Sequence, residues 1–410
     1  MDVEIRPVRP EEYEAWVRPL TVAFAEEIRP ELTELDSRLL EFDRTIGALD
    51  GDTFVGSTSV YSVDVTVPGG RLPMAGVTFV AVLPTHRRRG VNTALMRHVL
   101  ETVHEQGREP LLGLWASESG IYGRFGYGVA TSTSSFTLAR HRAAFRDDAG
   151  AGGSVRLIFD REEALGVIAD IYEQVRETRH GLVSRPSRAH WDWRFMDFER
   201  DRDGAGPLNY LIHDGPDGPD GYGVFRMKHA WVDDQPDGET RVSEVAGLSP
   251  TARAAIWRHL LDIDLMERTT CATCPVDNEL LHLLAEPRQL RTKIQDGLWL
   301  RIADVATALE GRRYAVDGSI AIGVRDGVCP WVEGTYVLEA GPQGAACRRD
   351  GAASADIVLS VRELAAIYLG GTGLAALAHA GLVDEQTTGA VDRAHAMFAT
   401  ALSPWCPSFF

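Results

Sequence analysis

Apolar and polar positions follow two alternating rhythms along the chain, and each change of rhythm marks a new element. DVEIRPV, residues 2–8, alternates like a strand with one buried face. EEYEAWVRPLTVAF, residues 11–24, then shows helical spacing, with Trp16, Val17 and Leu20 on one side. TIGALDGDTFVGSTSVYSVDVTV, residues 45–67, reads as a hairpin turned at Asp50-Gly51. AGVTFVAVL, residues 75–83, is a continuous apolar, β-branched run of the kind a buried central strand needs. Pro84 ends that run. A helix with Val91, Leu95, Val99 and Val103 on its inner face follows, then a further strand, EPLLGLWAS at 109–117.

The rest of the chain changes the picture twice. NYLIHDGPDGPDGYGVFRMK, residues 209–228, is a hairpin with a Gly/Pro/Asp tip. VAGLSPTARAAIWRHLL, residues 245–261, can be laid against VAVLPTHRRRGVNTALMRHVL, residues 80–100. Both place Val-Ala, a Leu and Pro-Thr ahead of an apolar helix carrying Arg-His, but the later copy lacks the Arg-Gly turn. From DGLWLRIADVATALEGRRY at 296–314 onward, strands such as SIAIGVRD and GTYVLEA give way to short helices. The expected organisation is α/β (α+β): domains at 1–140 and 141–292 with mixed central sheets, and a third at 293–410.

At 410 residues the chain exceeds one hydrophobic core. A net charge of -17 argues against nucleic acid as a partner and is compatible with a cationic substrate. The acidic start lacks a secretory signal's basic patch, and no stretch approaches the ~20 apolar residues of a membrane span. Five cysteines form no disulfide framework, so a reduced, cytoplasmic protein is expected. Cys271 and Cys274 form a lone CxxC without a second ligand pair, and no metal is expected.

Against this acidic background, Arg87, Arg88 and Arg89 stand together before Gly90, between a buried strand and a helix. The free N–H groups and positive pole of a helix start suit an anion, and the arginines add charge that can bond phosphate oxygens. The alternative, a solvated basic helix start, would set cations against the macrodipole. VTFVAVLPTHRRRGVNTALM resembles the acetyl-CoA signature of GCN5-related N-acetyltransferases, with Arg87 opening it, Gly90 as its glycine and Asn92 where Gly or Ala is usual. ASESGIYGRFGYGVAT, residues 116–131, together with the late chain, narrows the resemblance to the Eis family of actinobacterial acetyltransferases.

That resemblance implies acetyl-CoA as co-substrate, held by Val80, Ala81, Val82, Arg87, Arg88, Arg89, Gly90, Val91, Asn92, Thr93, Ser117 and Glu118. It implies an oxyanion donor at Val80, a second acetyltransferase-like domain without a phosphate loop, a sterol-carrier-like third domain and a homohexamer. A tyrosine carries its proton at neutral pH and can deliver it to a thiolate, so Tyr122 and Tyr127 both qualify as general acid; position in the family pattern selects Tyr122. No histidine or carboxylate of residues 75–131 announces itself as base: Glu118 is only a candidate, and His86 sits in a polar turn. The tail SPWCPSFF is apolar and stiff, with Trp405, Phe409 and Phe410 expected to be buried. The family pattern makes the terminal carboxylate of Phe410 the base. Glu26, Glu27 and Phe79 are candidate acceptor-binding residues, the acceptor being a primary amine such as an aminoglycoside-like polyamine or a lysine side chain. Two alternatives stay open: a longer-chain acyltransferase of the N-myristoyltransferase kind, and a non-catalytic lipid-binding protein. Trp191, Trp193 and Phe195 could line either the cleft or an interface.

Overall fold

The computed structural model describes residues 3–150 and 152–410. Two seven-stranded mixed sheets are followed by a five-stranded sheet, the tandem α/β architecture with a third α+β unit that the sequence leads one to expect. The first sheet runs, in spatial order, Glu4–Pro7, Thr45–Asp50, Thr53–Val67, Gly70–Val82, Leu111–Trp115, Leu298–Ile302 and Gly128–Val129. Helix Val91–Gln106 packs on it through Val91, Leu95, Val99 and Val103, all buried, as their spacing predicts.

The sheets do not follow the expected boundaries at 140 and 292. Strand Ser132–Ala139 pairs with Met266–Pro275 and Lys293–Asp296 in the second sheet, while Leu298–Ile302 returns to the first. The crossing is closed by backbone bonds: the N–H groups of Ala130 and Thr131 donate to the Leu298 carbonyl at 3.0 and 3.1 Å. Hydrogen bonding explains the exchange. Trp115 and Val129 would otherwise leave facing strand edges unpaired, and the returning strand satisfies both.

The third unit grips the first at several points, two of which bear on the site. Arg301, fully buried on the returning strand, pairs with buried Asp326. Helix Val361–Tyr368 lies directly on Gly128, where a Cβ would sit 2.1 Å from the Arg362 carbonyl oxygen, so only glycine permits that approach. The interior of the third unit closes around buried Arg312, whose guanidinium donates to the Tyr368 and Phe398 carbonyls and lies 4.6 Å from the Tyr314 ring centre. Among the described residues no helix is long and apolar enough to cross a membrane, and no cluster of ligating side chains could hold a metal.

Candidate active site

Strand Gly70–Val82 is interrupted in its middle. Ser57 faces Ala81 while Ser59 faces Thr78, so the strand carries an extra residue against its neighbour. Phe79 absorbs the irregularity at a φ of 54°, a left-handed conformation that costs a bulky residue roughly 1–3 kcal/mol. The Ser57 hydroxyl donates to the Phe79 carbonyl at 2.8 Å, and the Phe79 ring packs 5.3 Å from Trp16, which together hold the distortion. On its other side the strand pairs in parallel with Leu111–Trp115 only at residues 74–76 against 111–113. Beyond Gly76 and Gly113 the two strands splay, and backbone groups of Val77–Val82 are freed along one edge of a wedge.

Below the wedge lies the basic turn. Arg88 and Gly90 take left-handed φ values of 62° and 88°, and a Cβ on Gly90 would meet nothing within 4 Å. Residues 87–90 are exposed, Val91 is buried, and Asn92 and Thr93 are half-buried. Among the described residues, the backbone N–H groups of 87–93 find no backbone acceptor, and the three guanidiniums have no carboxylate partner. The Asn92 Oδ1 is buried without a hydrogen-bond partner. This open, cationic cradle of unspent donors fits the pyrophosphate of a coenzyme A thioester. The matching helix of the second domain, Pro250–Leu261, is capped by its own chain: the Ser249 hydroxyl accepts from the Ala252 N–H at 3.0 Å.

At the upper end of the wedge, Val80 and Phe79 share a cavity of about 210 Å³ with Ser117, Tyr122, Glu26 and Phe410. Tyr122 ends the short helix Ser119–Tyr122 and is 4% exposed. Burial, with Glu118 adding to it, pushes its phenol up to about 12. Tyr127 lies behind, its ring 6.1 Å away, with a fully buried hydroxyl that reaches no partner and no cavity. Of the two tyrosines, Tyr122 is the one that lines this cavity. Ala81 faces the core, Val82 is half-buried, and exposed Glu118 stands just outside the cavity. Glu27 is exposed and outside the cavity, so of the two glutamates only Glu26 meets it. His86 is tied to Thr85 and Asp50 at 2.9 and 3.2 Å, away from the wedge.

The chain's last residues reach this cavity by a fixed route. Trp405 is buried, and its backbone N–H donates to the His180 carbonyl at 3.0 Å. The Ser408 carbonyl accepts from Trp115 Nε1 at 2.8 Å, and the Phe409 carbonyl from Trp193 Nε1 at 3.2 Å. Phe410 packs on Gly76, whose missing Cβ would stand 3.2 Å from the ring. Phe409 departs from expectation: it is 60% exposed, because its ring turns to the cavity mouth and stands edge-on to Trp115 at 5.8 Å.

Behind the tail is an ion cluster that the sequence did not disclose. Arg185 donates twice to Glu244, at 3.1 and 2.9 Å, and through Nε to the Ser408 hydroxyl at 3.2 Å. Arg194 and Tyr222 also bond Glu244, at 2.8 and 2.5 Å. Burial opposes the charge on Glu244, but Arg185 and Arg194 outweigh it and hold the carboxyl down at about 2. Tyr172, Trp191 and Phe195 enclose the Arg185 guanidinium, with ring centres 4.0, 4.7 and 5.7 Å away. The HWDWRFMDF stretch thus divides its roles: Trp193 lines the cleft, while Trp191 and Phe195 belong to the second domain's core.

Residues 4–130 and 181–302 each match an acetyltransferase (GNAT) domain family, and residues 305–407 match a sterol carrier protein domain. N-acetyltransferase Eis of Mycobacterium tuberculosis is 36% identical over 92% of both chains. The chain belongs to the Eis family of N-acetyltransferases. A Streptomyces avermitilis protein named as an uncharacterized N-acetyltransferase is 39% identical over the whole of both chains. The crystal structure of Eis1 from Mycobacterium abscessus superimposes with a TM-score of 0.86, at 32% identity, over 99% of this chain and 100% of that one. The present Eis-family chain is accordingly an N-acetyltransferase, and its GNAT fold implies acetyl-CoA as co-substrate.

Proposed function

We propose that the chain transfers acetyl from acetyl-CoA to a primary amine by direct attack, with Tyr122 as general acid and the Phe410 carboxylate as general base. The observation that carries this reading is the meeting of Val80, Tyr122 and Phe410 around one cavity, although Phe410 lies 288 positions beyond Tyr122 in the chain. Acetyl-CoA supplies an activated acetyl thioester. The turn at 87–93 binds its pyrophosphate through backbone donors and guanidiniums, and Val82 with the freed strand edge orients the rest. The Val80 N–H hydrogen-bonds the acetyl oxygen. Glu26 draws the acceptor's ammonium in, and the Phe410 carboxylate takes its proton. The Tyr122 hydroxyl, kept protonated by burial, gives its proton to the departing sulfur and regains one as the acylated nitrogen sheds its second proton.

The third domain serves as architecture in this reading, since its interior is filled by Arg312 and its helix holds the Tyr122 segment. A cytoplasmic setting suits the five free cysteines, and exposed Phe159 and Ile294 offer apolar surface for the expected homohexamer, which light scattering measures.

The test pairs two variants. Tyr122→Phe should lower kcat by about 10²–10⁴ while acetyl-CoA affinity holds within a few-fold. A few residues added after Phe410 should abolish turnover without unfolding the protein. Turnover within twofold of wild type in either variant removes that residue from its role.

A further inference from the structure

Two of the five cysteines meet, through an irregularity that the transfer reaction does not use. Cys271 and Cys274 lie three positions apart on strand Met266–Pro275 of the second domain. In a regular strand that spacing sends two side chains to opposite faces, about 10 Å apart along the chain. Here the register against Ser132–Ala139 slips: Cys271 faces Phe136 and Cys274 faces Ser134, three steps on one strand against two on the other. The extra residue turns both thiols to one face. Cys274 Sγ donates to Cys271 Sγ at 2.7 Å, so the length of a disulfide is about 0.7 Å away. Among the described residues this is the one hydrogen bond between two thiols, and all five cysteines are free. Both thiols share a buried cluster with Phe136, Trp257, Leu280 and Leu284. Burial pushes the Cys274 thiol up, so it stays protonated and slow to react while its cover is closed. That cover includes the four-residue helix Leu280–Leu283, a short segment of the kind that opens locally. Cys271 also borders a cavity of about 320 Å³.

We propose that Cys271 and Cys274 form a reversible dithiol–disulfide site, closed by a small peroxide and reopened by a thiol. The step balances. The O–O bond of hydrogen peroxide breaks at one sulfur, giving a sulfenic acid and one water. The second sulfur displaces the hydroxyl, which leaves as a second water with that thiol's proton, and the Sγ–Sγ bond forms. Two electrons pass from the sulfurs to the peroxide oxygens. A dithiol reverses the closure by exchange. The site asks nothing of the acetyl-transfer chemistry, so its test stands apart from those of Tyr122 and Phe410.

The full-length chain is treated with hydrogen peroxide, quenched with catalase, unfolded in guanidinium with N-ethylmaleimide, and weighed intact. The untreated chain should take five labels and the treated chain three, and dithiothreitol before labelling should restore five. Digestion should place the change in the peptide that holds residues 271–274, two hydrogen masses below its reduced form. Cys271→Ser should take four labels both before and after peroxide. The wild-type measurement decides by itself, whether or not the serine variant folds. Five labels after peroxide overturn the proposal. So does a loss carried by other cysteines, or oxidation of Cys271 and Cys274 to separate sulfinic acids.

Discussion

Removing the Ser408 hydroxyl tests whether the buried ion cluster holds the C-terminal tail at the cavity. Ser408→Ala deletes the one side-chain bond between Arg185 and the tail, 3.2 Å long, and leaves the two Arg185–Glu244 bonds intact. Tyr172, whose hydroxyl stands 3.5 Å from Ser408 Oγ, keeps its own bond to the Val183 carbonyl at 2.7 Å. A hydrogen bond from a charged donor is worth about 1.5–3 kcal/mol net, and Ser408 is 7% exposed, so water does not readily replace it. With a tenfold change per 1.4 kcal/mol, the undocked fraction should rise about tenfold to 150-fold. Carboxypeptidase A reads that fraction directly, because it releases Phe410 only from an opened tail and reclosing outpaces cleavage. Intact mass should show accelerated loss of one phenylalanine in the variant, at an unchanged midpoint for global unfolding. Release within twofold of wild type would show that the Arg185 contact contributes nothing to docking. Fast release with undiminished kcat would instead confirm the anchor and discard the Phe410 base.

Two further perturbations concern buried titrating groups. Asp36 is 5% exposed, accepts from the Tyr13 hydroxyl at 2.6 Å, and is raised to about 6 by burial. A raised folded value means its contribution is present at low pH and lost as pH rises through about 6, so ionisation at pH 8 costs up to about 3 kcal/mol. Asp36→Asn should therefore raise the thermal midpoint at pH 8 and leave it level at pH 4; equal shifts at both would contradict the assignment. His180 and His190 border the tail, and burial lowers both to about 4. Their neutral forms favour the fold above the unfolded value near 6.5, and that support disappears as pH falls toward 4. Tail release measured with an acid-tolerant carboxypeptidase should accelerate across that window, and a flat profile would exclude them.

Local features were legible in the chain, and long-range ones were not. The Arg-Gly turn, the run ending at Pro84 and the truncated second copy are each encoded within about two dozen consecutive residues, where period and turn chemistry speak directly. The irregularity at Phe79 carries no such signal, since a phenylalanine in a strand gives no notice of a positive φ. Arg185, Glu244 and Ser408 are spread over more than two hundred positions and meet only because the tail crosses the second domain. Asp36 did leave a trace: it lies between Leu35 and Leu39 on the buried face of helix Pro30–Leu39, where an acid calls for an explanation. The Phe409 side chain shows the opposite limit, because an aromatic residue in a stiff tail is built equally for a core and for a ligand-facing wall.

The topology accounts for how the proposed base could be drawn from so far along the chain. The first sheet brings its irregular strand and the Tyr122 phenol to the cavity, while Glu26 and Glu118, the carboxylates beside it, are exposed. A carboxylate carried on the tail can serve as the proposed base only if the tail is held as firmly as Tyr122. Arg362 of the third domain rests on Gly128 behind the tyrosine, and Arg185 of the second holds Ser408, beside the bonds that Trp115 and Trp193 make to the tail. Strand Leu298–Ile302 completes the arrangement by lying between Leu111–Trp115 and Gly128–Val129 inside the first sheet. A chain cut before residue 298 would lose an interior strand of the first sheet, the tail and the support behind Tyr122 at once. The first acetyltransferase-like domain is therefore not separable from the two domains that follow it.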